Sequence, residues 1–267
     1  MPTVKIRDVK IFYEREGAGT PLLFISGLGG DHQVWAPVVE RLKDRYECIR
    51  FDNRGIGQSS RPRSGYAIPD QTQDVLGLLD ALSVSQLHIV GQSMGGMIAQ
   101  NIALQRPRLV RSLVLLASSA AMDSRSNHFI RSRTVMQRRM TGYEYFQAIV
   151  PWFFGPEMLS KPGFVESWAR RAADHPHPQS INAFSQLANG IAKFDGRAQL
   201  KDIRQPTLVM VGEHDILTPP YMSRVLAEGI QGAELVVFPG LGHMCVLEDT
   251  NAVIEQIARF LDRVEAR

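Results

Sequence analysis

LHIVGQSMGGMIAQNIAL, residues 87–104, is the stretch on which the fold turns. Its first four residues read as a strand, the residues after Met94 read as a helix, and Gly91-Gln92-Ser93-Met94-Gly95 between them fits G-x-S-x-G. A serine carried at so tight a strand-to-helix turn needs a strained backbone. Gly91, Gly95 and Gly96 leave the room that the strand and helix need to approach each other. A serine hydroxyl is a weak nucleophile at neutral pH and requires a base within hydrogen-bond reach. Without such a partner the stretch is an ordinary glycine-rich turn, so the rest of the chain must supply one.

Short β-rich runs recur on both sides of it: VKI and KIFY near the start, LLFI at 22–25, ECIRF at 47–51, SLVLL at 112–116, TLVMV at 207–211 and ELVVF at 234–238. Helix-like patterns lie between them. Strands alternating with helices predict an α/β fold, a mostly parallel sheet covered on both faces. From 120 to 200 the alternation stops, and helix-compatible stretches rich in Arg, Met and aromatic residues are broken at Pro151, Pro156, Pro162 and the HPHP of 175–178. The expected organisation is a core of residues 1–119 and 201–267 with a helical cap insertion at 120–200. The insertion is not an independent domain, because the sheet resumes only at Thr207 and its halves must pair across it.

Asp215 follows the strand TLVMV, and His243 follows ELVVF in a glycine-flanked loop. Both therefore fall at the C-terminal edge of the sheet, where Ser93 emerges and where open α/β sheets place their ligands. The predicted catalytic set is Ser93 as nucleophile, His243 as general base and Asp215 as the acid that orients it. Glu213 is nearer the strand end, and Asp249 is expected to cap the last helix. Of the other histidines, His88 lies within a strand, His128 in the insertion, and His175 and His177 between prolines; His214 and His32 are candidate pocket residues.

Acyl transfer also needs donors aimed at a developing oxyanion. The backbone N–H of Met94 is one, and that of Leu28, in Ser26-Gly27-Leu28-Gly29-Gly30 after LLFI, is the expected second. This glycine-rich loop lacks the Lys-Ser or Lys-Thr of a P-loop and does not match G-x-G-x-x-G, which argues against nucleotide binding.

The 267 residues are 44% apolar and 21% charged, the make-up of an ordinary globular chain, and 30 Lys and Arg against 27 Asp and Glu are too balanced to imply nucleic acid or membrane as partner. Cys48 and Cys245, far apart in apolar surroundings, do not suggest a disulfide framework, and no apolar run approaches the roughly 20 residues that cross a bilayer. The expectation is a cytoplasmic protein acting on a small molecule, with no metal and no cofactor.

With these residues assembled, nearly the whole chain resembles the α/β-hydrolase superfamily, in particular its small, cap-bearing bacterial esterases and lactonases. SGLGGDHQVW, FDNRGIGQS, GQSMGGMIAQ and GEHDILTP with GLGH carry the likeness. The order Ser, acid, His is the one this superfamily uses, and the resemblance makes Asp52 and Arg54 of FDNRGIGQS structural. Ser26 stands where many relatives have the His of H-G-x-G. Loops without that His resemble those of beta-ketoadipate enol-lactone hydrolases and carbamate-cleaving relatives, which implies a small carboxylic ester or lactone as substrate. A serine rather than a carboxylate at 93 argues against epoxide hydrolase or dehalogenase chemistry. The same triad could act on a C–C bond, on a carbamate or in perhydrolysis, and a ligand receptor built on this fold is the non-enzymatic alternative.

One further expectation concerns five arginines at 125, 131, 133, 138 and 139. On a helical wheel Phe129, Met136 and Met140 share a stripe, Arg131 and Arg138 lie opposite it, and Arg133 falls inside it. A guanidinium there needs a partner. A protein carboxylate or escape to the surface would serve, and so would a carboxylate on the substrate, which the enol-lactone hydrolase resemblance implies and which makes Arg133 a candidate substrate-binding residue.

Overall fold

The computed structural model describes residues 2–266. Eight strands form one sheet: β1 (Thr3–Ile6), β2 (Val9–Glu16), β3 (Thr20–Ile25), β4 (Tyr46–Phe51), β5 (Leu87–Gln92), β6 (Val110–Leu116), β7 (Thr207–Gly212) and β8 (Glu234–Phe238). Their spatial order is β1-β2-β4-β3-β5-β6-β7-β8. The β1–β2 and β2–β4 pairings are antiparallel, and every later pairing is parallel. Each predicted run falls on one of these strands.

The central strands are buried on both faces because successive side chains point to opposite sides. Leu23, Ile25, Ile89, Leu113, Leu115 and Val209 enter one apolar layer. Leu22, Phe24, Val90, Val114, Leu116, Leu208 and Met210 enter the other. Helices α1 (Ala36–Leu42), α2 (Ile68–Ala81) and α3 (Met94–Gln105) follow β3, β4 and β5. The second layer is covered by α1 and by the last helix, whose Val253, Ile257, Phe260 and Leu261 recur at helical spacing; the first takes in Val75, Leu78 and Leu79 of α2 and Met97, Ile98 and Ile102 of α3.

Between β6 and β7 the chain forms α4 (Ser124–Arg139), α5 (Gly142–Ile149), α6 (Pro156–Leu159), α7 (Phe164–Ala173) and α8 (Ile181–Ala192). After them β7 pairs with β6, Leu113–Leu116 running beside Thr207–Met210. Helices α9 (Pro220–Gly229), α10 (Cys245–Glu248) and α11 (Thr250–Glu265) complete the chain.

The strand order reverses direction after β3, since β4 lies on one side of it and β5 on the other. Such a reversal opens a crevice at the C-terminal ends of the two strands. Leu28 and Ser93 lie just beyond those ends.

Among the described residues no helix is long and apolar enough to cross a membrane. Cys48 and Cys245 are free thiols in the core, and burial pushes Cys48 up to about 12.

Candidate active site

Ser93 occupies the turn between β5 and α3 with φ 56° and ψ −119°. That backbone suits glycine, and a serine stays there only because its surroundings over-determine it. A Cβ at Gly91 would lie 2.5 Å from the Gly95 carbonyl oxygen, and one at Gly95 would lie 2.1 Å from that of Ile25. Only glycine lets strand and helix close to this spacing. Ser118 Oγ donates to the Ser93 carbonyl at 2.8 Å and pins the turn from β6's end.

His243 is buried in the loop after β8, with its Nδ1 2.8 Å from Asp215 Oδ2. Its Nε2 has no hydrogen-bond partner among the described residues, and neither has the Ser93 hydroxyl. Both residues line one cavity of about 600 Å³. Asp215 is buried behind the imidazole, and its two oxygens are fully occupied. Oδ1 accepts from the backbone N–H groups of Leu217 and Thr218 at 2.9 and 2.7 Å, and Oδ2 accepts from Thr218 Oγ1 at 2.7 Å as well as facing His243. Burial alone would push this carboxyl up. The adjoining His243 imidazole, its hydrogen bond and those from Thr218 outweigh burial and hold Asp215 below the usual carboxylate range.

The other two acids considered stand elsewhere. Glu213 is exposed and accepts from Gly240 N–H, while Asp249 caps α11 through Ala252 N–H at 2.9 Å.

Leu28 lines the same cavity, and its N–H enters no backbone hydrogen bond. Met94 is the first residue of α3, where an N–H has no partner inside the helix. The loop holding Leu28 is pressed against the serine turn: a Cβ at Gly27 would come within 2.9 Å of Ser93 Cβ. Ser26 explains its own presence by accepting from Trp35 Nε1 and donating to the Asp31 carbonyl, both at 2.9 Å. It fastens the loop from behind.

Arg133 lies on α4, is 5% exposed and lines the cavity, as its place in the apolar stripe predicts. Its Nε donates to Tyr145 Oη at 2.8 Å, and its Cζ stands 4.6, 5.2 and 5.8 Å from the ring centres of Phe184, Phe153 and Tyr145. No carboxylate pairs with it among the described residues, and it does not escape to the surface. Arg131 and Arg138 are exposed as expected. Met140 departs from the stripe: α4 ends at Arg139, so the extended Met140 leaves the wheel and sits 39% exposed at the cavity rim.

Two candidate pocket histidines are corrected. His32 is buried but does not line the cavity, its Nδ1 lying 2.7 Å from Asp52 Oδ1 in the FDNRGIGQS turn, and His214 is half-exposed outside it. His175 and His177 line the cavity instead, with His175 Nε2 3.1 Å from Asp31 Oδ2. Their proline-rich connector between α7 and α8 gives no local sign of that contact. Asp31, His32 and Asp52 could together offer ligands to a metal ion, but two of the three are already committed to each other.

Two further residues hold the site without any motif to announce them. Thr218 reaches both Asp215 and His243, the latter at 3.2 Å from Nδ1, and its place three residues after an aspartate and just before a helix-starting proline pair is the one available signal. Glu248 accepts from Gly155 N–H at 2.7 Å and Gly242 N–H at 2.8 Å, tying the His243 loop to the chain before α6.

A serine at a strained strand-to-helix turn, a buried histidine–carboxylate pair and unused N–H groups on one sheet edge describe an enzyme of the α/β-hydrolase superfamily. The family profile of the alpha/beta hydrolase fold matches residues 20–250, and the chain belongs to that family. It is similar to the "Putative carbamate hydrolase RutD" of Azorhizobium caulinodans, 34% identical over 88% of each chain. Among solved structures it resembles the enol-lactonase from Burkholderia xenovorans LB400, with a TM-score of 0.89 and 26% identity over 98% of this chain and all of that one. It also resembles Est816, described as an N-acyl homoserine lactone degrading enzyme, with a TM-score of 0.85 and 27% identity over 97% of this chain and 100% of the other.

Proposed function

We propose that the protein is a serine hydrolase that cleaves a small carboxylic ester or lactone through an acyl-enzyme on Ser93. The observation that carries this is the pairing of a buried Asp215 with His243, which lines the same cavity as Ser93. Asp215 fixes the tautomer with the proton on Nδ1, which leaves Nε2 to take the Ser93 proton as Oγ attacks the carbonyl. The N–H groups of Leu28 and Met94 receive the negative charge on the carbonyl oxygen. The imidazolium then gives its proton to the leaving alcohol, or to the ring oxygen of a lactone, and a water activated by the same Nε2 releases the acid.

The test is release of nitrophenol from p-nitrophenyl esters by the wild type and by Ser93→Ala. Turnover by the folded Ser93→Ala protein above about a tenth of the wild-type rate would end the serine mechanism. Asp215→Asn should lose about 10⁴-fold in kcat, and Glu213→Gln should change little; the reverse result would move the acid to Glu213. A carbamate in place of the ester is the second reading, favoured by the 34% identical relative. Assaying a nitrophenyl carbamate beside the ester of equal size separates the two.

A further inference from the structure

Arg133 presents a problem that the proposed chemistry leaves open. A guanidinium carries a fixed charge and five N–H donors, and removing it from water without a counter-charge is costly. Its Nε is satisfied by Tyr145, and three ring faces offer partial compensation for the charge. The two terminal nitrogens have no hydrogen-bond partner among the described residues, nor do they belong to the sealed, unpartnered atoms of the interior. They therefore open onto the cavity that Arg133 lines.

The charge balance of that cavity points the same way. Asp31 is the one carboxylate among its described lining residues, and its Oδ2 lies 3.1 Å from His175 Nε2 without a hydrogen bond to it. Arg133 and Arg171 both line the cavity, and Arg171 donates to Ser167 Oγ, a neutral group. A pocket meant only for a neutral ester would gain nothing from an unpaired buried cation, since an apolar side chain of similar volume would fill the aromatic box at lower cost.

We infer that Arg133 is an anchor for a carboxylate on the substrate, so that the preferred ester or lactone is an acidic one, held by paired N–H···O bonds from the two terminal nitrogens. This rests on the reading of the cavity as the reaction site. Phe153 relates the anchor to that site: Arg133 Cζ is 5.2 Å from its ring centre and the His243 ring is 5.9 Å from the same centre. One phenyl ring thus bridges guanidinium and imidazole, which suits a short substrate whose carboxylate and reacting carbonyl are a few bonds apart. Tyr145 positions the guanidinium through Nε and leaves its outer edge free.

The experiment compares esters matched in size. p-Nitrophenyl hemiglutarate against p-nitrophenyl valerate places the charge on the acyl side, and 4-carboxyphenyl valerate against phenyl valerate places it on the leaving group. Arg133→Met should raise KM for at least one acidic ester about tenfold more than for its neutral partner, the loss expected when a charge-assisted pair is removed. Arg133→Lys, which keeps the charge without the fork, should fall between. Circular dichroism and Tm of both variants check the fold. A readout independent of turnover is glutarate binding to Ser93→Ala by calorimetry, which should vanish when Arg133→Met is added. Equal effects on all four esters, or glutarate binding that persists without Arg133, overturns the anchor while leaving the serine mechanism in place. If no ester is cleaved in a Ser93-dependent way, the hydrolytic reading fails and glutarate binding alone decides the anchor.

Discussion

Ser93 holds a backbone conformation that an L residue adopts at a cost of about 1–3 kcal/mol. Ser93→Gly should therefore abolish turnover and yet raise stability by about 1 kcal/mol in urea denaturation, after the greater chain entropy of glycine is subtracted. Ser93→Ala keeps the strain and should be as inactive with no gain. If both variants had equal stability, the turn would not be strained. Asp215 offers a second test at this scale. Its folded pKa is depressed, so its ionisation contributes stability above the ordinary carboxylate value of 3.8, and that contribution is lost as pH falls through the depressed value. Asp215→Asn should then lower Tm at pH 7, with the gap to wild type closing as pH drops below about 3.8. A gap that stays constant into acid would mean that the carboxylate charge is not what His243 and Thr218 stabilise.

The connection between β4 and α2 depends on one buried ion pair. Arg54, 1% exposed in the turn after β4, places Nε and Nη2 on the two oxygens of Asp74 from α2. Arg54 also donates to the Gly65 carbonyl, so the pair fixes the turn as well as the helix. Asp74→Asn leaves the buried Arg54 with only its longer contact, 3.4 Å, to the exposed Asp8, and should cost about 3 kcal/mol. The exposed pair Arg106–Asp80 is the control, where Asp80→Asn should leave stability nearly unchanged. Similar values from chemical denaturation would contradict the burial of Asp74. The structural role that the superfamily resemblance gives to FDNRGIGQS fits this arrangement, since Asp52 serves the N–H groups of His32 and Gln58 and Arg54 serves Asp74. The i, i+4 periodicity that put Arg133 among apolar residues was legible for the same reason that α11's apolar stripe was: a helix keeps its angular spacing whatever it packs against. Met140 falls off the stripe because the wheel assumes a helix one residue longer than the one that forms.

At the scale of the molecule, the sheet joins segments separated by the helices between β6 and β7. Leu113–Leu116 lie against β7, with apolar side chains on both faces. A fragment of residues 1–119 would leave that edge open and should aggregate on expression, whereas the full chain does not present it. A soluble, cooperatively melting 1–119 fragment would show that the first six strands suffice as a folding unit. The cavity likewise belongs to the whole chain, because loops after β3, β5, β7 and β8 form its floor while Arg133, Tyr145, Phe153, His175 and Phe184 come from the segment between β6 and β7.

Features that depend on neighbours along the chain are readable before any folding: strand runs, the G-x-S-x-G turn, the place of Asp215 and His243 just past their strands, and the stripe that holds Arg133. Parallel strands deliver their C-terminal loops to one edge, so Ser93 and His243 line one cavity even though 150 positions separate them. It takes the packed molecule to show that Thr218 clasps Asp215, that Glu248 binds the backbone of Gly155, and that His175, not His32, reaches the cavity. Packing also brings Arg133 against three aromatic rings and, among the described residues, no carboxylate. Those contacts join segments whose approach depends on how helices pack over the sheet, and no local periodicity encodes that packing.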